Sequence, residues 1–205
     1  MKLDWLLIYK MNKIVLFCFL LFYSCSKVNE LKLDKNKTYL VFRDSESKEG
    51  FFVKKFNISN TDVTHVGFLF FNNQTWKVYH AIDVKDKNCV VVEDYNNFSI
   101  KNDKELKIRI LEIKDFDKKE LLNNKLDSIY KLNLKFDFTF SENKANSTYC
   151  SKFVCDLLNS VDSKYQFRLT TKPLNNLESS YLKKDTLNYY PVDLFFKDEK
   201  FKIVQ

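Results

Sequence analysis

Few residues in this 205-residue chain have side chains suited to covalent chemistry, and three of them stand out by type and position. Cys150 lies in the stretch STYCSKFVCDLL (147–158), at the head of an amphipathic run. A cysteine in the first turn of a helix sits among free backbone N–H groups, at the positive end of the helix dipole. Both features favour the thiolate, which is the nucleophilic form. The same N–H groups are placed to stabilise an oxyanion, and Ser147 or Thr148 is placed to cap the helix. The chain has only two histidines, His65 and His80. They fall in two β-rich runs, THVGFLFF (64–71) and WKVYHAI (76–82), separated by NNQT. Read as a hairpin with a two- or four-residue connection, these runs pair Phe71 with Trp76 and Gly67 with His80, whereas a three-residue loop would shift the register by one. Residues two apart share a face, so the histidines become diagonal cross-strand neighbours roughly 5–8 Å apart. Gly67 lies on that face, where a glycine marks a close approach and leaves room beside His65. A lone buried cysteine is more often a small hydrophobe. A thiol, an imidazole and a second polar group to orient it form the constellation of nucleophilic acyl transfer.

The other thiols fit that role less well. Cys155 lies between apolar residues, where burial raises a thiol pKa. Cys89 opens a strand without an evident partner. Cys150 and Cys155 point in different directions on one helix, so no bridge between them is expected.

The elements that must position these residues are legible in outline. Strands are expected at 39–44 (YLVFRD), 64–71, 76–82, 89–95 (CVVVEDY), 106–113 (LKIRILEI) and the closing FKIVQ. Residues 45–62 read as a loop with room for a short helix. Helical spacing predicts helices at 118–133 and about 147–160, the second held to the sheet by Phe153, Val154, Leu157 and Leu158. Residues 135–141 read as extended or irregular, and the chain after 160 as polar. Strands with few, segregated helices indicate an α+β fold without a second domain.

Composition sets the outer bounds. Apolar residues make up 45% of the chain and aromatics 16%, enough for a sizeable core. Gly and Pro number two each, so turns must be built from Asn, Asp, Ser and Lys. The net charge of +7 comes from lysines interleaved with acids rather than from a basic stripe, which argues against a nucleic-acid partner. Two histidines and a distant cysteine form no zinc spacing, and no glycine-rich phosphate loop is present, so no metal or cofactor is expected. Residues 1–25 read as a secretory signal: Lys13 is followed by a short apolar run from Ile14 to Tyr23, then Ser24 and Cys25. The serine–cysteine end is similar to a bacterial lipoprotein cleavage site, with Cys25 as the lipidated residue. Residues 26–38 then form a tether and 39–205 the domain. The expected location is the bacterial cell envelope, as an exported protein held to the membrane by its N-terminal lipid. Cleavage would leave Cys89, Cys150 and Cys155, an odd number, with at least one thiol free.

At these residues the sequence resembles the NlpC/P60 superfamily of papain-like cysteine hydrolases, and within it the circularly permuted YiiX/YebB-like (YaeF/YiiX) group. That group carries an HVG strand first and a YCSxxV helix later, the reverse of papain order. Here these are THVGFLF at 64–70 and YCSKFV at 149–154. LVFRDSES (40–47) resembles the opening strand of the group, and YPVDLFFKDEKFKIV its C-terminal segment. The resemblance implies a permuted papain-like fold, with mainly antiparallel sheet or partial barrel packed on the cysteine helix. It implies Cys150 as nucleophile, His65 as general base and His80 as third, orienting residue where the group often has Glu. Tyr149 stands where the residue before the cysteine assists the oxyanion. The implied activity is a cysteine amidase or peptidase on peptide, amide or lipid-linked substrates, including cell-envelope peptides. Two alternatives compete. HVGFLFFNNQTWKVYHAI also resembles the strand pair of lecithin:retinol acyltransferase-like proteins, which implies an acyltransferase or phospholipase. A non-catalytic surface lipoprotein of the same fold is the other.

Overall fold

A single antiparallel sheet organises the molecule, and the catalytic candidates lie along one end of it. The computed structural model describes residues 31–205 apart from positions 46, 86, 102, 103, 142 and 143. The signal-like segment and Cys25 lie outside the described residues. Residues 35–205 form one compact unit. Among the described residues no helix is long and apolar enough to cross a membrane.

Chain order runs β1 (Tyr39–Arg43), α1 (Lys48–Lys54), β2 (His65–Asn72), β3 (Thr75–Ala81), β4 (Val90–Asp94) and α2 (Tyr95–Ser99). The short pair β5 (Ile100–Lys101) and β6 (Lys104–Glu105) follows, then β7 (Ile108–Ile113), α3 (Lys119–Tyr130), β8 (Lys135–Phe136) and β9 (Ser147–Thr148). The chain closes with α4 (Cys150–Val161), β10 (Thr170–Pro173), α5 (Asn176–Leu182), β11 (Thr186–Tyr189), a 3₁₀ turn (Leu194–Lys197) and β12 (Phe201–Ile203). The six-stranded sheet has the order β12-β7-β1-β2-β3-β4, and every neighbouring pair is antiparallel. This is the α+β class expected from the strand and helix pattern.

The β2–β3 hairpin has the register read from the sequence, with Phe71 opposite Trp76 and Gly67 opposite His80. Its turn is two residues long. Asn73 and Gln74 both have positive φ, 47° and 66°, the requirement of the type I′ turns that match strand twist. With two glycines in the whole chain, Asn and Asp take most left-handed positions: Asn60, Asn73, Asp115, Asn133 and Asn146. Their short polar side chains tolerate that region best among non-glycine residues.

Helix α4 packs against β2 and β3. Phe153, Val154, Leu157 and Leu158 form its buried stripe, joined by Cys155 and Val161, and Phe153 meets Phe68 edge-on at 6.1 Å. Burying each such side chain contributes about 1.5–3 kcal/mol, which offsets the weak start of this helix. The N-cap is Tyr149, with no side-chain cap. Ser147 and Thr148, expected to cap, instead pair with Lys135 and Phe136 in the parallel β8–β9 ladder. That ladder holds them extended, with Thr148 O accepting from Asp137 N at 2.8 Å. Further elements were not expected from the sequence: α2, the β5–β6 pair, α5, the β10–β11 hairpin and the 3₁₀ turn.

Candidate active site

The β1–β4 register places four functional side chains on one face of the sheet. Arg43 pairs with His65, Gly67 with His80, and His80 with Val91. Glu93, two residues beyond Val91, falls on the same face by the alternation of a strand. His65 Nε2 lies 2.7 Å from His80 Nδ1, with the rings edge-to-face. His80 is fully buried. Its Nε2 lies 2.8 Å from Glu93 Oε1. Arg43 closes the row: its guanidinium is 3.8 Å from Glu93 Oε1, donates to Phe98 O at 3.1 Å, and covers the Phe98 ring. Gly67 permits this spacing, because a Cβ there would stand 2.8 Å from both His80 Cβ and Tyr79 O. The room it leaves is against His80, on the partner strand, rather than beside His65.

Cys150 arrives from the other face, at the free head of α4. The backbone N–H groups of Val66, Ser151 and Cys150 itself lie close to its sulfur and favour its anion. Val66 directly follows His65, so the thiol sits at the end of β2 that carries the imidazole. Cys150 and His65 line one cavity of about 430 Å³. Ser151, next along the helix, donates to Tyr190 O at 2.6 Å. Tyr149 is buried, and its hydroxyl accepts from Tyr190 N at 3.0 Å while its ring meets Phe140 edge-on. Its hydroxyl is thus committed to Tyr190, which lines the cavity.

Electrostatics make the resting site neutral. Burial pushes the Cys150 thiol up to about 11, although its three N–H contacts and Arg43 pull the other way. The expected thiolate, favoured by the helix terminus, is therefore not the resting form: the thiol is only 6% exposed, and desolvation of the anion outweighs the dipole. Burial likewise holds His65 well below its usual value, helped by His80 and Arg43. Burial lowers His80 too, against the contrary pull of Glu93. Burial alone would raise the Glu93 carboxyl, yet the hydrogen bond and charge of His80, with Arg43, hold it below the usual carboxylate range. Cys155 is fully buried, and desolvation pushes its pKa well above that of an ordinary thiol. Cys89, Cys150 and Cys155 are all free.

The structure thus brings together Cys150, His65 and His80, and adds two residues that sequence reasoning missed. Glu93 carried a signal, as a charge inside an otherwise apolar strand, VVVED. Arg43 carried none, because its place opposite His65 depends on a pairing between segments more than twenty residues apart.

Comparison with known proteins agrees with this fold. The description of the permuted papain-like amidase enzymes, YaeF/YiiX, C92 family, matches residues 39–201. Among solved structures, the crystal structure of metalloprotein yiiX from Escherichia coli O157:H7 superposes with a TM-score of 0.66 at 15% identity, covering 84% of this chain and 98% of that one. At that identity the likeness speaks for the fold. No curated protein matches the sequence.

Proposed function

The chain belongs to the permuted papain-like amidases, a family of cysteine hydrolases, and on that premise we propose that it cleaves an amide bond through Cys150, with His65 as base and His80 as orienting residue. The observation that carries this reading is the convergence of Cys150 and His65 on one cavity, with His65 Nε2 held 2.7 Å from His80 Nδ1.

Proton positions follow from the acceptors. The Glu93 carboxylate can only accept, so His80 carries hydrogen on Nε2 and presents a lone pair at Nδ1. His65 then donates from Nε2 and keeps its own lone pair at Nδ1, free to act as a base. Starting from neutral thiol and neutral imidazole, His65 takes the Sγ proton as sulfur attacks the acyl carbon. The N–H groups around Cys150 stabilise the oxyanion. His65 returns the proton to the leaving amine, the C–N bond breaks, and a thioester remains on Cys150. Water, deprotonated by His65, attacks that thioester, releasing the carboxylic acid and restoring the thiol. His80, backed by the Glu93 carboxylate, stabilises the imidazolium that forms twice in this cycle, while the Arg43 charge opposes it. Tyr149 acts as a positioning residue, fixing the Tyr190 segment and the helix head.

The structural relative is described as a metalloprotein. The donor set here does not fit a metal: among the described residues no group of three or more His, Cys, Asp or Glu is arranged to hold an ion. His65 Nε2 and both His80 nitrogens are engaged with each other and with Glu93. No step is routed through a metal.

Export and lipid anchoring at Cys25 remain part of the proposed reading, resting on the signal-like 1–25 segment. They would place the enzyme at the cell envelope, beside peptide and lipid amides. Labelling with an alkynyl fatty acid tests this, with loss of label expected in Cys25→Ser. For the chemistry, a panel of peptidyl and acyl coumarin amides is incubated with the full chain and the Cys150 peptide is weighed. A thioester adduct, absent from Cys150→Ala, is expected; turnover that survives Cys150→Ala would overturn the mechanism.

A further inference from the structure

We propose that the amine half of the substrate is an α-amino acid with a free carboxylate, held by the Arg43 guanidinium beside His65; the proposal rests on the cysteine hydrolase reading of the Cys150 cavity and adds a substrate class to it. Direction comes from the proton. His65 returns it to the leaving amine, so that amine must lie on the His65 side of Cys150. Arg43 is on that side, as the cross-strand partner of His65, and lines the cavity. Lys101, a second cation of the lining, follows Phe98 by three residues, and the Phe98 ring stands 6.0 Å from that of His65. The aromatic wall is built by three segments: Phe52 and Phe56 from α1, Phe138 and Phe140 from the turn after β8, and Tyr181 from α5. Those side chains offer a carboxylate no cation. The acidic lining residue Glu49 is exposed on α1.

Arg43 is prepared for a planar anion. Its Nη1 donates to Phe98 O at 3.1 Å, and the guanidinium lies over the buried Phe98 ring at 4.4 Å, so its plane is fixed. Glu93 Oε1, at 3.8 Å, is beyond hydrogen-bond reach and stands closer to His80. Among the described residues nothing accepts from Nε or Nη2, and neither is buried without a partner, so this edge of the guanidinium is open to solvent. Such an edge pairs with both oxygens of a carboxylate. A second argument comes from the chemistry. Arg43 disfavours the charged form of both imidazoles and so opposes the imidazolium that the reaction needs. A substrate carboxylate offsets that charge when it binds. The His65 imidazolium then forms more easily with substrate in place, and the anion is used as well as recognised. As the C–N bond breaks, the imidazolium proton passes to the leaving nitrogen; after water has cleaved the thioester, each turnover yields one carboxylic acid and one α-amino acid.

The same amide bond occurs in an N-acyl amino acid and at the C-terminus of a peptide, so the test has two arms. The full chain is assayed with benzoylglycine and with alanyl-alanyl-phenylalanine, each beside its C-terminal carboxamide. Release of glycine identifies the first source and of phenylalanine the second. The free acid is expected to exceed its carboxamide in kcat/KM by about 10- to 10²-fold, the range for hydrogen bonds between charged groups. That preference should collapse in Arg43→Gln and fall by about twofold in Lys101→Gln, which removes an exposed charge. The pH profile of the native chain gives a readout that a merely structural Arg43 would not move. For the acids, the acid limb of kcat, which reports the bound enzyme, should lie at higher pH than that of kcat/KM, which reports the free enzyme; the carboxamides should show no such gap. Binding is read separately, by calorimetry on Cys150→Ala with benzoylglycine and benzoylglycinamide, the acid binding more tightly. No preference for the acid, in kcat/KM or in binding, overturns the proposal and leaves Cys150-dependent turnover standing. Tighter binding of the acid without any Cys150 thioester upholds the carboxylate site and overturns the hydrolase reading instead.

Discussion

The two sides of the cavity are built by different means. On the sheet side, Arg43, His65, His80 and Glu93 are fixed by successive antiparallel ladders, and each is opposite or diagonal to the next. On the aromatic side, short segments are tied down by single buried carboxylates. Asp137 accepts from Thr139 N, Thr139 Oγ1 and Ser141 N, and Asp193 accepts from Ile58 N and Ser59 N at 2.8 and 2.6 Å. A ladder sets side-chain positions to within the tolerance that proton transfer requires, since a shift of about 1 Å can cost about 10²-fold in rate. A clamped turn fixes a surface but leaves it locally adjustable. The comparison teaches that reaction geometry here comes from sheet register, while the shape offered to substrate comes from loop anchors. Substitutions on the two sides should therefore separate into effects on kcat and effects on KM.

The largest effect should come from the reacting groups. Cys150→Ala or His65→Ala is expected to lower kcat by about 10⁴-fold or more, with melting temperature little changed, checked by steady-state assay and calorimetry. Gly67→Ala tests the ladder itself. The new Cβ meets His80 Cβ and Tyr79 O at 2.8 Å, so β2 and β3 must part. A cost of about 1–3 kcal/mol and a fall in kcat of about 10²-fold are expected; an unaffected kcat would break the claim that register sets the chemistry.

Glu93→Gln keeps the shape and removes the charge. A loss of about tenfold in kcat is expected, and the pH profile carries the sign. Glu93 favours the protonated form of His80, so without it the imidazoles stay neutral to lower pH and the acid limb moves down. A merely structural role would lower activity without moving that limb. Resting thiol chemistry offers a related check. With its pKa at about 11, Cys150 should be alkylated slowly near neutrality and faster as pH rises towards that value; full reactivity at pH 6 would mean a preformed ion pair.

Asp137→Asn should have the smallest effect and act on the other side. It weakens the turn carrying Phe138 and Phe140, so KM rises while kcat holds, with stability lower by about 1–2 kcal/mol. Burial would raise the Asp137 carboxyl, but Thr139, Ser141 and Lys144 hold it below its usual value. Its contribution is therefore present above the unfolded pKa, near about 4, and is lost as pH falls through the lower folded value. Denaturation as a function of pH should show that loss in the native chain and not in Asp137→Asn.

Much of the sheet side was legible in the sequence, because its signals are local. THVGFLFF and WKVYHAI alternate as strands do, and a two-residue turn between them fixes the face of His65 and His80 by counting. Cys150 at the head of an apolar helical stripe is equally local. What sequence alone could not determine was everything set by pairing across distance. The adjacency of β1 and β2, and hence Arg43 beside His65, depends on loop closure over residues 44–64. The aromatic wall depends on three segments meeting that share no pattern. The helix head is not capped by Ser147 or Thr148, because those residues are taken into a ladder with 135–136. Most telling is the thiol itself. The helix terminus, visible in the sequence, argues for a thiolate, but the depth at which the fold buries Cys150 decides for the neutral form, because removing an anion from water costs more than three N–H groups and a nearby guanidinium return.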